Sequence, residues 1–172
     1  MNGRTTYGFQ GTVPDVHDGA NVSPEATLVG DVTVEADATV WPGVVIRGDM
    51  GSVAIGAGSH VGDNATIHDS SIGAGVMVGH GAIINEATVG DRSLVGFNAT
   101  VNTDVAVGES SVIAAGTTIQ EGREVPAESF VRGVPATVTP LAETSVDPSE
   151  IFASYSPERY SSLADRHDEL FE

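Results

Sequence analysis

The chain has 172 residues, no cysteine, no lysine and a formal net charge of −17, its seven basic residues all being arginine. That acidity sets it against nucleic acid and anionic membrane as partners, while 40% hydrophobic content in strict periodicity excludes an acidic disordered tail. With no cysteine, any metal must be held by histidine, carboxylate or amide oxygen. No signal peptide or long apolar span is visible, so a cytoplasmic location is expected, and the charge reads as a surface adapted to high salt, as in a halophile.

In chain order, an aliphatic residue returns every sixth position. The ladder runs Val16, Val22, Leu28, Val34, Val40, Ile46, then Ile55, Val61, Ile67, Ile72, Val78, Ile84, then Val89 to Val125 in unbroken register. Small or β-branched residues lie two positions before each rung, and glycine follows seven rungs, from Gly56 to Gly108. A six-residue unit cannot bury its apolar residue alone, so units must stack into one interior column. The pattern predicts an all-β fold, a left-handed parallel β-helix of hexapeptide repeats, three units to a triangular coil. Nine residues between Ile46 and Ile55 predict an insertion around Gly48 to Ser52. Two five-residue steps, Ile67 to Ile72 and Ile84 to Val89, predict shortened coils. Arg123 and Pro126 predict the end of the prism at Val125.

Beyond it, Gly133-Val134-Pro135-Ala136 and Pro140 read as an extended crossing segment. Asp147-Pro148-Ser149-Glu150 matches a helix-capping pattern with proline at the first helical position. Ser156-Pro157 opens a second helix whose apolar face carries Tyr160, Leu163, Ala164, His167, Leu170 and Phe171. The expected organisation is one domain: a β-helix over residues 1–140 and a C-terminal α-helical tail over 141–172.

Position within the repeat then selects candidate residues. His68 and Asn85 each follow the third rung of successive coils and are 17 residues apart, so Asn85 should sit above His68. Arg47 belongs below them and Asn102 above. His80 follows the second rung by two residues, at another part of the triangle. Within one prism it should not reach His68, whereas a neighbour in a closed threefold ring would bring it there. His17, His60 and His167 have no partner pattern and read as solvated or packing residues, with His60 near the site row.

The run Trp41-Pro42-Gly43-Val44-Val45-Ile46-Arg47-Gly48-Asp49 resembles the signature of the γ-class carbonic anhydrase family. The Asp63 to His68 spacing, Val78-Gly79-His80 and the Gly133 to Ala136 exit resemble it as well. The resemblance covers roughly residues 10 to 140. It implies a homotrimer that hydrates carbon dioxide to bicarbonate at metal sites between subunits, with zinc, or alternatively iron or cobalt, as cofactor. It implies His68, His80 and Asn85 as the metal set, with His80 supplied by the adjoining subunit. Arg47, Asp49 and Asn85 are implied as the catalytic set, Arg47 and Asp49 reading foremost as a salt bridge across the interface.

The chain departs from the family's pattern. Asn85 stands where the family has its third histidine, Gly62 where glutamine is common, and Met50 where some members have glutamate. The acidic loop of some members is absent between Ile72 and Val78. An amide oxygen suits harder cations better than zinc, and neighbouring Glu86 points away along the strand. Two alternatives follow: a non-catalytic member with an assembly role, or a hexapeptide-repeat acyltransferase with His68 or His80 as base.

Overall fold

The structure, a computed structural model, describes residues 5–154 and 156–171. Residues 1–4, 155 and 172 of the expected two-part organisation lie outside the described residues. The chain winds as a left-handed β-helix of about seven turns. Its short parallel strands stack coil on coil along three faces. The first face runs through Thr66–His68, Ile83–Asn85, Thr100–Val101 and Thr118–Ile119. The second carries Ser71–Ile72, Thr88–Val89, Ala106–Val107 and Glu124–Val125. The third carries Asn21–Val22, Thr39–Val40, His60–Val61, Met77–Val78, Leu94–Val95 and Val112–Ile113.

The ladder forms the core. Every rung from Val22 to Val125 is at most 3% exposed, and Val16 packs half-buried at the open end. The small residues before the rungs are also inside, including Ser59, Ser93 and Ser111. Their hydroxyls are satisfied by bridging coils: Ser59 Oγ donates to Gly73 O at 2.7 Å and accepts from Val76 N at 3.0 Å. The glycines after the rungs are needed for close approach. A Cβ at Gly96 would stand 2.5 Å from Ala115 N in the next coil. The left-handed corners fall on other residues, among them Asp69 and Glu86 at φ 44° and 47°. These two sit in the two shortened coils.

The predicted insertion lies inside the strand Val45–Ile55. Gly48 pairs with Gly30 and Val53 with Val32, so four residues, 49–52, oppose one. The prism does not end at Val125. Val131, the next residue in a six-residue step, is fully buried, and Ser129–Arg132 stacks in parallel on Val112–Ile113. Pro126 lacks an N–H, but Glu124–Val125 is the last strand of its face, so no coil lies beyond it to take the ladder bond that Gly90 and Gly108 donate at the same position. Residues 133–136 form a turn rather than an extended crossing. Thr137–Pro140 then returns antiparallel along Ser129–Arg132 and closes the last edge.

The tail contains α1 (Pro148–Ser154), α2 (Pro157–Ala164) and α3 (Asp168–Phe171). Asp147 starts α1 by accepting from Ser149 N at 2.8 Å and Ser149 Oγ at 2.6 Å, and these bonds hold its carboxyl below the usual range. Ser156 caps α2 through Arg159 N, with proline following it as the sequence predicts. The second helix is interrupted at 165–167, so it is two short helices rather than one. The turn brings both His167 and Phe171 edge-on to Trp41. α2 covers the third face at Thr39–Val40 and His60–Val61.

Candidate metal centre

The first face ends at an edge where Arg47, His68 and Asn85 are direct neighbours in successive coils. This is the predicted row. Parallel strand stacking aligns residues that hold the same place in the repeat, so the alignment follows from the 17-residue coil. Asn102 does not extend it. Its Nδ2 donates to Ile119 O at 2.8 Å, and Asn85 Nδ2 turns instead to Thr103 Oγ1 at 2.9 Å.

His68 is the centre of the cluster. Its Nδ1 lies 3.1 Å from Asn85 Oδ1. On the other side of the ring, Nε2 lies 3.2 Å from Asp49 Oδ1 and 3.3 Å from Asp69 Oδ2. Asp49 reaches this point because the insertion carries it outward, and Arg47 Nη2 anchors its second oxygen at 2.8 Å. The Arg47 hydrogen bonds hold the Asp49 carboxyl below its ordinary pKa, against a smaller opposing effect of burial. Within the chain, Arg47 and Asp49 pair with each other. Asp69 anchors Oδ1 on Gly51 N at 2.9 Å.

Asp49, His68 and Asp69 each offer one atom to a common space, all within 4.8 Å of one another. One imidazole and two carboxylate oxygens fit a divalent cation. Asp69 escaped the sequence reading. Its signal was the shortened coil after Ile67, which leaves Asp69 at a left-handed corner directly beside His68. Glu86 is exposed, and its Oε1 lies 3.4 Å from Asn85 Nδ2, so its carboxylate turns towards the row rather than to the opposite side of the strand.

His80 sits at a different corner, after Met77–Val78. Its Nδ1 lies 2.8 Å from Asp63 Oδ2 and 3.0 Å from Asp63 N, and its ring stacks on Phe97 at 5.1 Å and 15°. His80 is outside the Asp49–His68–Asp69 cluster. His60 is not near the site row. It faces out from the third face and is buried under α2, with Nδ1 3.0 Å from Thr39 Oγ1 and its ring 4.0 Å from that of Tyr160. Between this face and the tail lies a cavity of about 310 Å³, lined by Met77, Leu94, Phe130, Ile151 and Tyr160, with His80 and Phe97 also in its wall. Among the described residues no helix is long and apolar enough to cross a membrane.

Comparison with known proteins agrees with this architecture. Residues 28–133 match the family model of the GMPPB C-terminal domain. Gamma carbonic anhydrase 1 of Arabidopsis thaliana is 30% identical, over 95% of this chain and 62% of that protein. The carnitine operon protein CaiE of Escherichia coli is 34% identical, over 73% of this chain and 61% of that protein. The chain thus spans about three fifths of these relatives' length, and 25% of gamma carbonic anhydrase 3 of Arabidopsis, which is 43% identical over 38% of this chain. Among solved structures, a hexapeptide transferase family protein of Anaplasma phagocytophilum superposes with TM-score 0.88 at 28% identity, covering 95% of this chain and 98% of that one. A putative acetyltransferase of Bacillus cereus gives 0.83 at 25%, covering 93% and 96%. With its hexapeptide rungs stacked as the core, the chain belongs to the hexapeptide-repeat family of left-handed β-helix proteins, the family of the γ-class carbonic anhydrases.

Proposed function

We propose that this protein is a γ-carbonic anhydrase-like metalloenzyme that reversibly hydrates carbon dioxide at sites shared between subunits of a homotrimer. His68 comes from one subunit and His80 from the next. One observation carries the reading: His68 Nδ1 meets Asn85 Oδ1, a carbonyl that only accepts, which leaves Nε2 of that ring to face a cation. The relatives named gamma carbonic anhydrase support it. Zinc is the expected ion, with iron or cobalt as alternatives, and such an ion supplies Lewis acidity at neutral pH.

The chain's own residues hold the site and manage its charge. Arg47 keeps Asp49 ionised, and Asp49 Oδ1, 3.2 Å from His68 Nε2, supplies negative charge beside the ion. Asn85 in place of a third imidazole, and an apolar Met50 exposed at the insertion, make the reaction slow. A cytoplasm of high ionic strength is the setting that the charge fits. Stopped-flow measurement of carbon dioxide hydration with zinc, cobalt or iron tests the reading. A rate above the metal-free background that falls to it in His80→Ala is expected. No excess with any of the three ions would leave the assembly role.

A second reading rests on the other histidine. The His80–Asp63 pair beside the apolar cavity is the arrangement of an oriented general base, and the two solved structures named as transferases favour it. Acyl transfer from a coenzyme A thioester would then use His80 to take the proton of an acceptor hydroxyl or amine as that oxygen or nitrogen bonds the thioester carbonyl carbon, and to return the proton to the thiolate released when the carbon–sulfur bond breaks. Thermal protection by coenzyme A, lost in Asp63→Asn, would select this reading; no protection at millimolar ligand would remove it.

A further inference from the structure

We propose that Asp49, His68 and Asp69 of a single subunit form a cation site on their own, with two carboxylate oxygens and one imidazole as ligands, and that Asn85 positions His68 rather than binding the ion. The inference deepens the function proposed above, since it concerns the same His68, yet it needs no contribution from His80.

The argument is one of anchoring. Three side chains each have one polar atom fixed outside the cluster and another directed inward. Arg47 holds Asp49 Oδ2, Gly51 N holds Asp69 Oδ1, and Asn85 Oδ1 meets His68 Nδ1. The amide of Asn85 is oriented by Thr103 Oγ1, which takes its Nδ2 at 2.9 Å, so its carbonyl faces His68. A carbonyl only accepts, so His68 Nδ1 carries the proton and Nε2 of the neutral ring carries the lone pair. In that neutral ring Asp49 Oδ1, Asp69 Oδ2 and His68 Nε2 turn three acceptors to one point; without an ion, a second proton on Nε2 makes the hydrogen bond to Asp49 and the ion pair with Asp69. The Asp69 side chain is only 9% exposed, so its Oδ2 has His68 Nε2 rather than water as its neighbour.

A divalent cation that displaces that proton takes its place among them, and the spacing suits an ion. Nitrogen-to-oxygen edges of 3.2 and 3.3 Å are those of a coordination shell with bonds of roughly 2.0–2.2 Å. Two oxygens and one imidazole suit a divalent ion of the manganese or iron(II) kind, with the remaining positions open. The extra aspartate takes the place that a third histidine would otherwise hold.

Titration of the full-length protein with manganese(II), read by loss of the free-ion electron paramagnetic resonance signal, tests this directly. One ion per chain is expected, in wild type and in His80→Ala alike. Asp69→Asn, which keeps shape and tolerates the left-handed corner, should weaken binding at least tenfold, as should His68→Ala. Asn85→Leu should weaken it and Asn85→Asp restore it, with thermal unfolding of the metal-free variants unchanged. Wild-type affinity in Asp69→Asn would overturn the proposal, as would an absence of saturable binding or equal loss in His80→Ala. Carbon dioxide hydration at background with manganese binding intact would defeat the proposed function alone.

Discussion

At Gly62 the absence of a side chain decides where an imidazole points. A Cβ there would stand 2.8 Å from His80 Nδ1 and 3.0 Å from His80 N. His80 can turn back onto Asp63 only because the position is glycine, which gives a physical reason for a departure that the sequence could only register. Gly62→Ala should therefore dislodge His80 from Asp63, and the imidazole resonances of His80 in a ¹H–¹⁵N spectrum should shift while the rest of the spectrum holds. Unchanged His80 resonances would refute the coupling. The rungs make a different residue-scale prediction. Ile84 is fully buried in the centre of the column, so Ile84→Ala should cost roughly 2–5 kcal/mol, read as a lowered urea midpoint. Asn85→His belongs to this scale too. Because Asn85 meets the Nδ1 side of His68, an imidazole there should not raise zinc affinity, measured by competition with a chelator; a gain in affinity, and in carbon dioxide hydration with it, would show that position 85 faces the ion.

At the scale of the element, α2 and α3 are held down by an aromatic cluster rather than by a long apolar stripe. Trp41 meets Tyr160, His167 and Phe171 edge-on at 6.2, 6.3 and 5.3 Å, and His60 lies under Tyr160. Burial pushes the His60 pKa down to about 3, with repulsion from His80 a smaller cause. An unfolded histidine titrates near 6.5. Above about pH 6.5 the ring is neutral in both states and contributes no pH dependence. As pH falls from there towards 3, only the unfolded chain takes the proton, so stability is progressively lost, by at most about 5 kcal/mol. Acidification from pH 7 to 4 should therefore loosen the tail, and Trp41, the sole tryptophan, should report it as a red shift in emission. His60→Phe keeps the ring packing and removes the titration. Its shift over the same range should be clearly smaller, and an equal shift would assign the effect to the carboxylates.

At the scale of the molecule, charge and symmetry dominate. Against a net charge of −17, the described ion pairs that involve arginine are Arg47–Asp49 and Arg92–Glu109. Raising potassium chloride from about 0.1 to 1 M shortens the screening length from roughly 10 to 3 Å. The thermal midpoint should rise over that range, and a flat response would remove the high-salt reading. Light scattering should give three times 17.6 kDa if the proposed trimer forms. The sequence by itself determined the β-helix, its rungs, its insertion, its short coils and the row Arg47–His68–Asn85, because stacking copies a six-residue pattern directly into space. Even there it stopped the prism one rung early and ran the second tail helix through 165–167 without a break, since corners and helix breaks depend on what packs against them. Only the tertiary structure decided that Asp69 joins His68, that Asn85 meets the Nδ1 side of that ring, that His80 folds back on Asp63 and that His60 is sealed beneath Tyr160. Those outcomes rest on side-chain rotation at left-handed corners and on contacts between residues as much as 100 positions apart, and a local repeat carries no record of either.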